Sequence, residues 1–198
     1  MEDTRGKLIL VTGGARSGKS TFAENYAREA SKRVVYIATA AGDDEEMRRR
    51  IAAHRQRRPK HFITIEERYY PHLVLEKEGR ADTFILLDCL TLLLSNHLIK
   101  EAFREGGAER NQGEILDDAA EQERVMERIL DYIGGLSLLL RSSPADVLVV
   151  TNEVGMGLVP EYPLSRVFRD LSGRANQIMA SRADEVWFTV CGIPQRIK

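Results

Sequence analysis

Apolar and polar positions along the 198-residue chain fall into two kinds of run. Residues 8–11, 34–38, 83–87, 147–151 and 186–190 are short and almost unbroken in their apolar character. They lack the alternation of a half-exposed strand, so they predict strands buried on both faces. Residues 62–65 predict a shorter strand. Between these runs lie segments with helical spacing. Residues 20–31 carry Phe22, Ala23, Tyr26, Ala27 and Ala30 on that period, and 89–103, 114–141 and 164–182 follow the same pattern. Gly134-Gly135 is a candidate break within the third of them. Residues 43–58 are charged with a helical pattern that Pro59 ends. Residues 105–113 and 153–163 read as loops.

Strands alternating with helices predict an α/β fold, with a mostly parallel sheet covered by helices on both faces. No repeat or linker divides the chain. Residues 1–198 are therefore expected to form a single domain, of a length that can bury a sizeable core.

One junction carries chemistry. Gly13-Gly14-Ala15-Arg16-Ser17-Gly18-Lys19-Ser20 fits the pattern G-x-x-x-x-G-K-S/T at every fixed position. A predicted strand precedes it and a predicted helix follows, the context that a phosphate-binding P-loop requires. The glycines let backbone N–H groups turn inward around phosphate oxygens, and the helix adds its positive dipole end. Lys19 is expected on the β- and γ-phosphates, and the Ser20 hydroxyl on Mg2+. Asp88 ends the apolar run 84–87. It is the candidate for a second Mg2+ anchor, with capping of the following helix as the other reading. The segment Thr151-Asn152-Glu153-Val154 lacks the lysine and aspartate of the N/T-K-x-D base-reading motif, which argues against a regulatory GTPase.

Charge narrows the function classes. The chain has 29 basic and 30 acidic residues, so no global field would hold it on nucleic acid or an anionic membrane. No apolar stretch is long enough to span a bilayer, and the N-terminus has no signal-peptide core. A cytoplasmic protein is expected. Cys89 and Cys191 each sit in or beside an apolar run and read as two buried thiols.

The basic residues are locally concentrated. Asp44–Arg48, Glu45–Arg49 and Glu46–Arg50 are i,i+4 pairs expected to support a solvated helix. Arg55, Arg57, Arg58 and Lys60 have no acidic neighbour in sequence before Glu66. His54 lies among them. Neighbouring cations disfavour imidazolium, and a neutral imidazole can attack phosphorus. From the residues alone, a helix-face histidine and a nucleophile both remain open for His54. His61, His72 and His97 have less to recommend them.

Taken in order, these segments resemble the bifunctional adenosylcobinamide kinase/adenosylcobinamide-phosphate guanylyltransferases of cobalamin biosynthesis. The resemblance runs through Val11–Ser20, Tyr36-Ile37-Ala38-Thr39-Ala40 and Asp44-Glu45-Glu46-Met47. It continues through Arg50-Ile51-Ala52-Ala53-His54-Arg55, Arg58-Pro59, Thr64-Ile65-Glu66 and Leu87-Asp88-Cys89-Leu90-Thr91. Val150-Thr151-Asn152-Glu153-Val154-Gly155-Met156-Gly157, Phe168-Arg169-Asp170, Gly173-Arg174-Ala175-Asn176-Gln177 and Ala183-Asp184-Glu185-Val186-Trp187 carry it close to the C-terminus.

The resemblance implies a transferase that phosphorylates adenosylcobinamide with ATP or GTP. It then transfers GMP from GTP, through a guanylylated histidine, to give adenosylcobinamide-GDP. On that pattern residues 13–20 hold the nucleotide phosphates, and Ala38, Thr39 and Ala40 line the site. His54 carries GMP, while Arg55, Gln56, Arg57, Arg58, Glu66 and Asp88 contact the guanine nucleotide. The resemblance also implies a homotrimer. Ala53 stands where many members have a first histidine, and Arg57 where glycine is common. The loop 153–163 is the candidate for contacts with cobinamide. The rival readings are a monofunctional P-loop small-molecule kinase and a non-enzymatic nucleotide-binding switch.

Overall fold

The apolar runs become strands whose alternate side chains enter two separate cores. A computed structural model describes residues 5–40, 45, 48, 49, 52, 59–106 and 118–198, with the backbone alone for 102–106. The strands are β1 (Leu8–Thr12), β2 (Arg33–Ala38), β3 (Ile63–Glu66), β4 (Thr83–Asp88), β5 (Asp146–Val150), β6 (Glu185–Val190) and β7 (Ile193–Arg196). They form one sheet in the order β3-β2-β4-β5-β1-β6-β7. All pairs are parallel except β6 with β7.

The helices are α1 (Lys19–Glu29), α2 (Pro71–Glu78), α3 (Leu90–Gly106), α4 (Ala119–Ser142) and α5 (Pro163–Arg182). Leu8, Leu10, Val35, Ile37, Ile85, Leu87, Val147 and Val149 face the buried residues of α2 to α5. Their neighbours Ile9, Val11, Val34, Tyr36, Phe84, Leu86, Leu148 and Val150 face Ala23 and Ala27 of α1. Burial on both faces is why these strands show no alternation. Helices do cover both faces, but unevenly: α1 is the one named helix on its side.

Three expectations need correction. Gly134 and Gly135 do not break α4, which runs through them. Each glycine costs a helix about 1 kcal/mol relative to alanine, and the fully buried Ile133, Leu136 and Leu140 around them offset that cost. Helix α2 went unpredicted. It is only eight residues long, begins at Pro71, and buries just Pro71, Val74 and Leu75. Strand β7 was also missed, because Pro194 and its four-residue length hide it.

Residues 45, 48, 49 and 52 are helical, and Arg49 Nε donates to Glu45 Oε1 at 3.3 Å, the expected i,i+4 pair. Asp44, Glu46, Arg50 and His54 lie outside the described residues, as does most of the loop expected at 105–113.

Candidate active site

In a parallel sheet the strand ends that point one way bring distant residues to one edge. Ala38 is in register with both Glu66 and Asp88, Asp88 with Val150, and Val150 with Val11. The C-terminal edge of β3, β2, β4, β5 and β1 therefore gathers Glu66, residues 38–40, Asp88 and the segment after Thr12. These are the expected site residues that the structure describes. Arg55, Gln56, Arg57 and Arg58, like His54, lie outside the described residues.

The segment 13–18 joins β1 to α1 as a tight loop. Gly13, Arg16 and Gly18 have φ of 152°, 56° and 96°. A Cβ on Gly13 would lie 2.4 Å from Thr189 O and 2.7 Å from Ser17 Oγ, so a side chain there is excluded. Gly14 has open space around it, as a backbone that ligand atoms approach requires. Helix α1 begins with no side-chain cap on Gly18 and no acidic residue in its first turn. Its first backbone bond runs from Phe22 N–H to Gly18 O at 3.0 Å. The preceding amides and the positive helix end are left for an anion.

Lys19 sits at the centre of this cradle. Its Nζ donates to Gly14 O at 2.9 Å. Burial pulls its ammonium below the ordinary lysine range, opposed by the fields of Cys89 and Asp88. Burial and the Asp88 carboxylate push the Cys89 thiol up to about 12. Cys89 is thus neutral at physiological pH.

Asp88 is held from the neighbouring strand. Tyr36 O–H donates to its Oδ2 at 2.6 Å. The amide of Leu92, in the first turn of α3, points to Cys89 Sγ at 3.4 Å, and Leu93 N–H bonds Cys89 O at 3.1 Å. Cys89, and not Asp88, therefore stands in the capping position. Thr39 N–H donates to Asp88 O at 3.1 Å, and the Thr39 hydroxyl exchanges bonds with Cys89 O and N–H at 2.8 Å each. Asn96 Nδ2 ties Thr39 O to Arg68 O at 2.9 and 3.0 Å. Thr39 thus latches β2 to β4, and Ala38 and Ala40 flank the latch.

A second network fixes the start of the next loop. Thr91 Oγ1 lies 3.1 Å from Thr151 Oγ1 and accepts from Asn152 N–H at 2.7 Å. The Thr151 hydroxyl donates to Asn176 Oδ1 at 2.7 Å, and Asn176 Nδ2 donates to Asn152 O at 3.1 Å. Glu153 N–H reaches Gly13 O at 3.0 Å. Beyond it, Met156, Leu158, Val159 and Tyr162 are exposed, Leu158 at 95%.

Sequence reasoning missed Tyr36, Asn96, Thr91, Thr151 and Asn176, whose roles depend on which strands and helices are neighbours. His97 and His72 are structural: His97 Nε2 lies 2.9 Å from Tyr69 O, and His72 Nδ1 lies 3.2 Å from Tyr132 O–H.

The two cysteines differ, contrary to the expectation of two buried thiols. Cys89 is buried and Cys191 exposed, because Cys191 occupies the tip of the β6–β7 turn. Titration of the native protein with a thiol-reactive disulfide at pH 8 should show one fast thiol. Cys191→Ser should remove it, and denaturation should release Cys89.

Among the described residues, no group of three His, Cys, Asp or Glu could hold a metal ion. Ser20 and Asp88 offer hard oxygen atoms, a donor set that suits Mg2+ when phosphate oxygens complete the shell. No helix among the described residues is long and apolar enough to cross a membrane.

A family model described as cobinamide kinase / cobinamide phosphate guanyltransferase matches residues 9–197. The chain is 45% identical over 192 residues to the bifunctional adenosylcobalamin biosynthesis protein CobU of Salmonella typhimurium, covering 96% of this chain and 99% of that protein. It is 42% identical over 191 residues to the protein of the same name from Escherichia coli, with coverage of 96% and 99%. Among solved structures, a prototypical ATPase from a bacterial type III secretion system superposes with a TM-score of 0.51 at 11% identity, over 93% of this chain and 51% of the ATPase. That likeness concerns the fold alone.

Proposed function

Because the chain belongs to the cobinamide kinase/cobinamide phosphate guanylyltransferase family, we propose that it performs both transfers at the sheet edge just described. The observation that carries this reading is the convergence of Lys19, Asp88 and the phosphate loop at one edge of a chain that matches the family over nearly its whole length.

In the kinase step the aminopropanol hydroxyl of adenosylcobinamide attacks the γ-phosphorus of ATP or GTP. A new P–O bond forms, the bond to the β-phosphate oxygen breaks, the hydroxyl proton is released, and a nucleoside diphosphate leaves. The transition state spreads charge over the γ-phosphoryl oxygens, so positioning and charge neutralisation are the main contributions. The loop amides and the α1 N-terminus hold the phosphates, and Lys19 neutralises their charge. Ser20 and Asp88 would hold Mg2+, which would supply neutralisation of the phosphate charge.

In the guanylyl step the His54 imidazole attacks the α-phosphorus of GTP. A P–N bond forms and pyrophosphate leaves. A phosphate oxygen of adenosylcobinamide phosphate then attacks the same phosphorus and breaks the P–N bond, giving adenosylcobinamide-GDP. Covalent catalysis divides one transfer into two easier steps. Arg55, Gln56, Arg57 and Arg58 contact the guanine nucleotide, with Ala38, Thr39, Ala40 and Glu66 on the β2–β3 side. The loop 153–163 is tied to Gly13 at its start through Glu153 N–H, and its exposed apolar side chains offer contacts to cobinamide.

We further infer a homotrimer working in the cytoplasm; sedimentation at assay concentration should give three times the chain mass, and a monomer of full activity would overturn that state. The reading as a whole is tested by supplying adenosylcobinamide with ATP, with GTP, and with both. ATP alone should stop at the corrinoid phosphate, and GTP should carry the reaction to adenosylcobinamide-GDP. Phosphorylation without any GDP product would favour the monofunctional kinase, and nucleotide binding without turnover would favour the switch.

A further inference from the structure

The hairpin between β6 and β7 turns directly against the phosphate loop. Its central residues Cys191 and Gly192 have φ of 52° and 80°, the left-handed pair that a tight two-residue hairpin uses. Gly192 N–H donates to Ser17 O at 2.8 Å. A Cβ on Gly18 would lie 2.9 Å from Gly192 Cα. The two backbones thus meet more closely than side chains would allow, and Gly13 is likewise pressed against Thr189 O of β6. Val190 and Ile193 are register partners on either side of the turn, so their side chains share one face. They are 48% and 70% exposed, an apolar pair at solvent beside a cradle for phosphates.

The sheet order gives this pair a direction. Strand β4, with Asp88, lies two places to one side of β1, and β6 and β7 lie on the other. Asp88 ends β4, where Tyr36 O–H of β2 holds its carboxylate at 2.6 Å, so with Asp88 at the reacting centre the reacting phosphorus belongs on the β4 side of the loop. A triphosphate with its γ-phosphorus there runs its α-phosphate and nucleoside away from β4, toward the hairpin. A triphosphate with its α-phosphorus there runs the other way: its pyrophosphate lies in the loop and its nucleoside on the β2–β3 side.

We propose that the β6–β7 turn, through Val190 and Ile193, is the purine platform for the triphosphate that supplies the phosphoryl group. The one phosphate loop then binds its two triphosphates in opposite directions. The inference rests on the reading that both transfers use this loop. It also bears on specificity. Residues 190–194 are Val, Cys, Gly, Ile and Pro, and they present no set of polar side chains to read the edge of a base. Contact with a purine face is tolerant of which purine it is, so ATP and GTP should serve the kinase step with KM values within about threefold of each other.

The test has two arms. With selectively methyl-labelled isoleucine and an ATP analogue carrying a β–γ imido bridge, the Ile193 δ1 methyl should show a nuclear Overhauser contact to the purine H8 or H2. Bound analogue without that contact overturns the platform. In the second arm, Ile193→Asp should raise the KM for ATP in the kinase step about tenfold, a loss of about one apolar contact's worth of binding. The rate at which GTP alone labels the protein should stay within twofold. An equal change in both steps, or in neither, overturns the proposal. If the analogue contacts Ile193 but cobinamide is never phosphorylated, the platform stands and the functional reading fails.

Discussion

Replacing His54 by alanine is expected to abolish guanylyl transfer while leaving phosphorylation of adenosylcobinamide within about threefold of wild type. The guanylyl step needs a nucleophile that forms a P–N bond, and alanine has none. Loss of a covalent nucleophile lowers turnover by on the order of 10⁴-fold or more. The kinase step needs only that the γ-phosphorus, the loop and Lys19 be in place, and the substrate hydroxyl is its own nucleophile. The measurement is incubation with α-labelled GTP followed by recovery of the protein. Wild type should carry a label that is lost in acid and kept in alkali, as a phosphoramidate is. Label on His54→Ala equal to wild type would assign the nucleophile elsewhere.

Lys19→Ala should remove both activities, each by about 10³-fold or more, the scale of losing one preorganised charge at a phosphoryl centre. Lys19 is buried against the loop, bonded to Gly14 O and within the field of Asp88. Its ammonium is a buried cation within the loop itself. Alanine leaves the α1 start intact, because Gly18 and not Lys19 provides the entry into the helix. Circular dichroism and thermal midpoint should therefore stay near wild type. Loss of the kinase step alone, with protein labelling by GTP intact, would mean a second nucleotide site.

The parts of this site that were legible in sequence are those set by contiguous residues. Gly13, Gly18 and Lys19 specify the loop through backbone freedom and spacing, and the positive φ values of the two glycines follow from local sterics. Asp88 was legible as the polar residue that ends an apolar run. What escaped depends on adjacency across the sheet. Tyr36 reads as one more apolar strand residue until β2 is seen beside β4, where its hydroxyl meets Asp88. Thr39 reads as a site residue by resemblance, yet its hydroxyl is spent on Cys89.

Cys191 was misplaced for a related reason. The apolar run 186–190 ends just before it, and Gly192 turns the chain and puts the thiol outside. That same turn, invisible to periodicity, is what presses on the phosphate loop through Ser17. The continuity of α4 through Gly134 and Gly135 is the converse case, in which packing of Ile133, Leu136 and Leu140 overrode local propensity.

The central claim is that one sheet edge runs two phosphorus chemistries in sequence, the second through the protein itself. The most direct test is a chase. Enzyme labelled with α-labelled GTP is freed of nucleotide and mixed with adenosylcobinamide phosphate alone. The account predicts that the label leaves the protein in a single turnover and appears in adenosylcobinamide-GDP. Label that stays on the protein, or is released as free GMP while the corrinoid remains unlabelled, would contradict it.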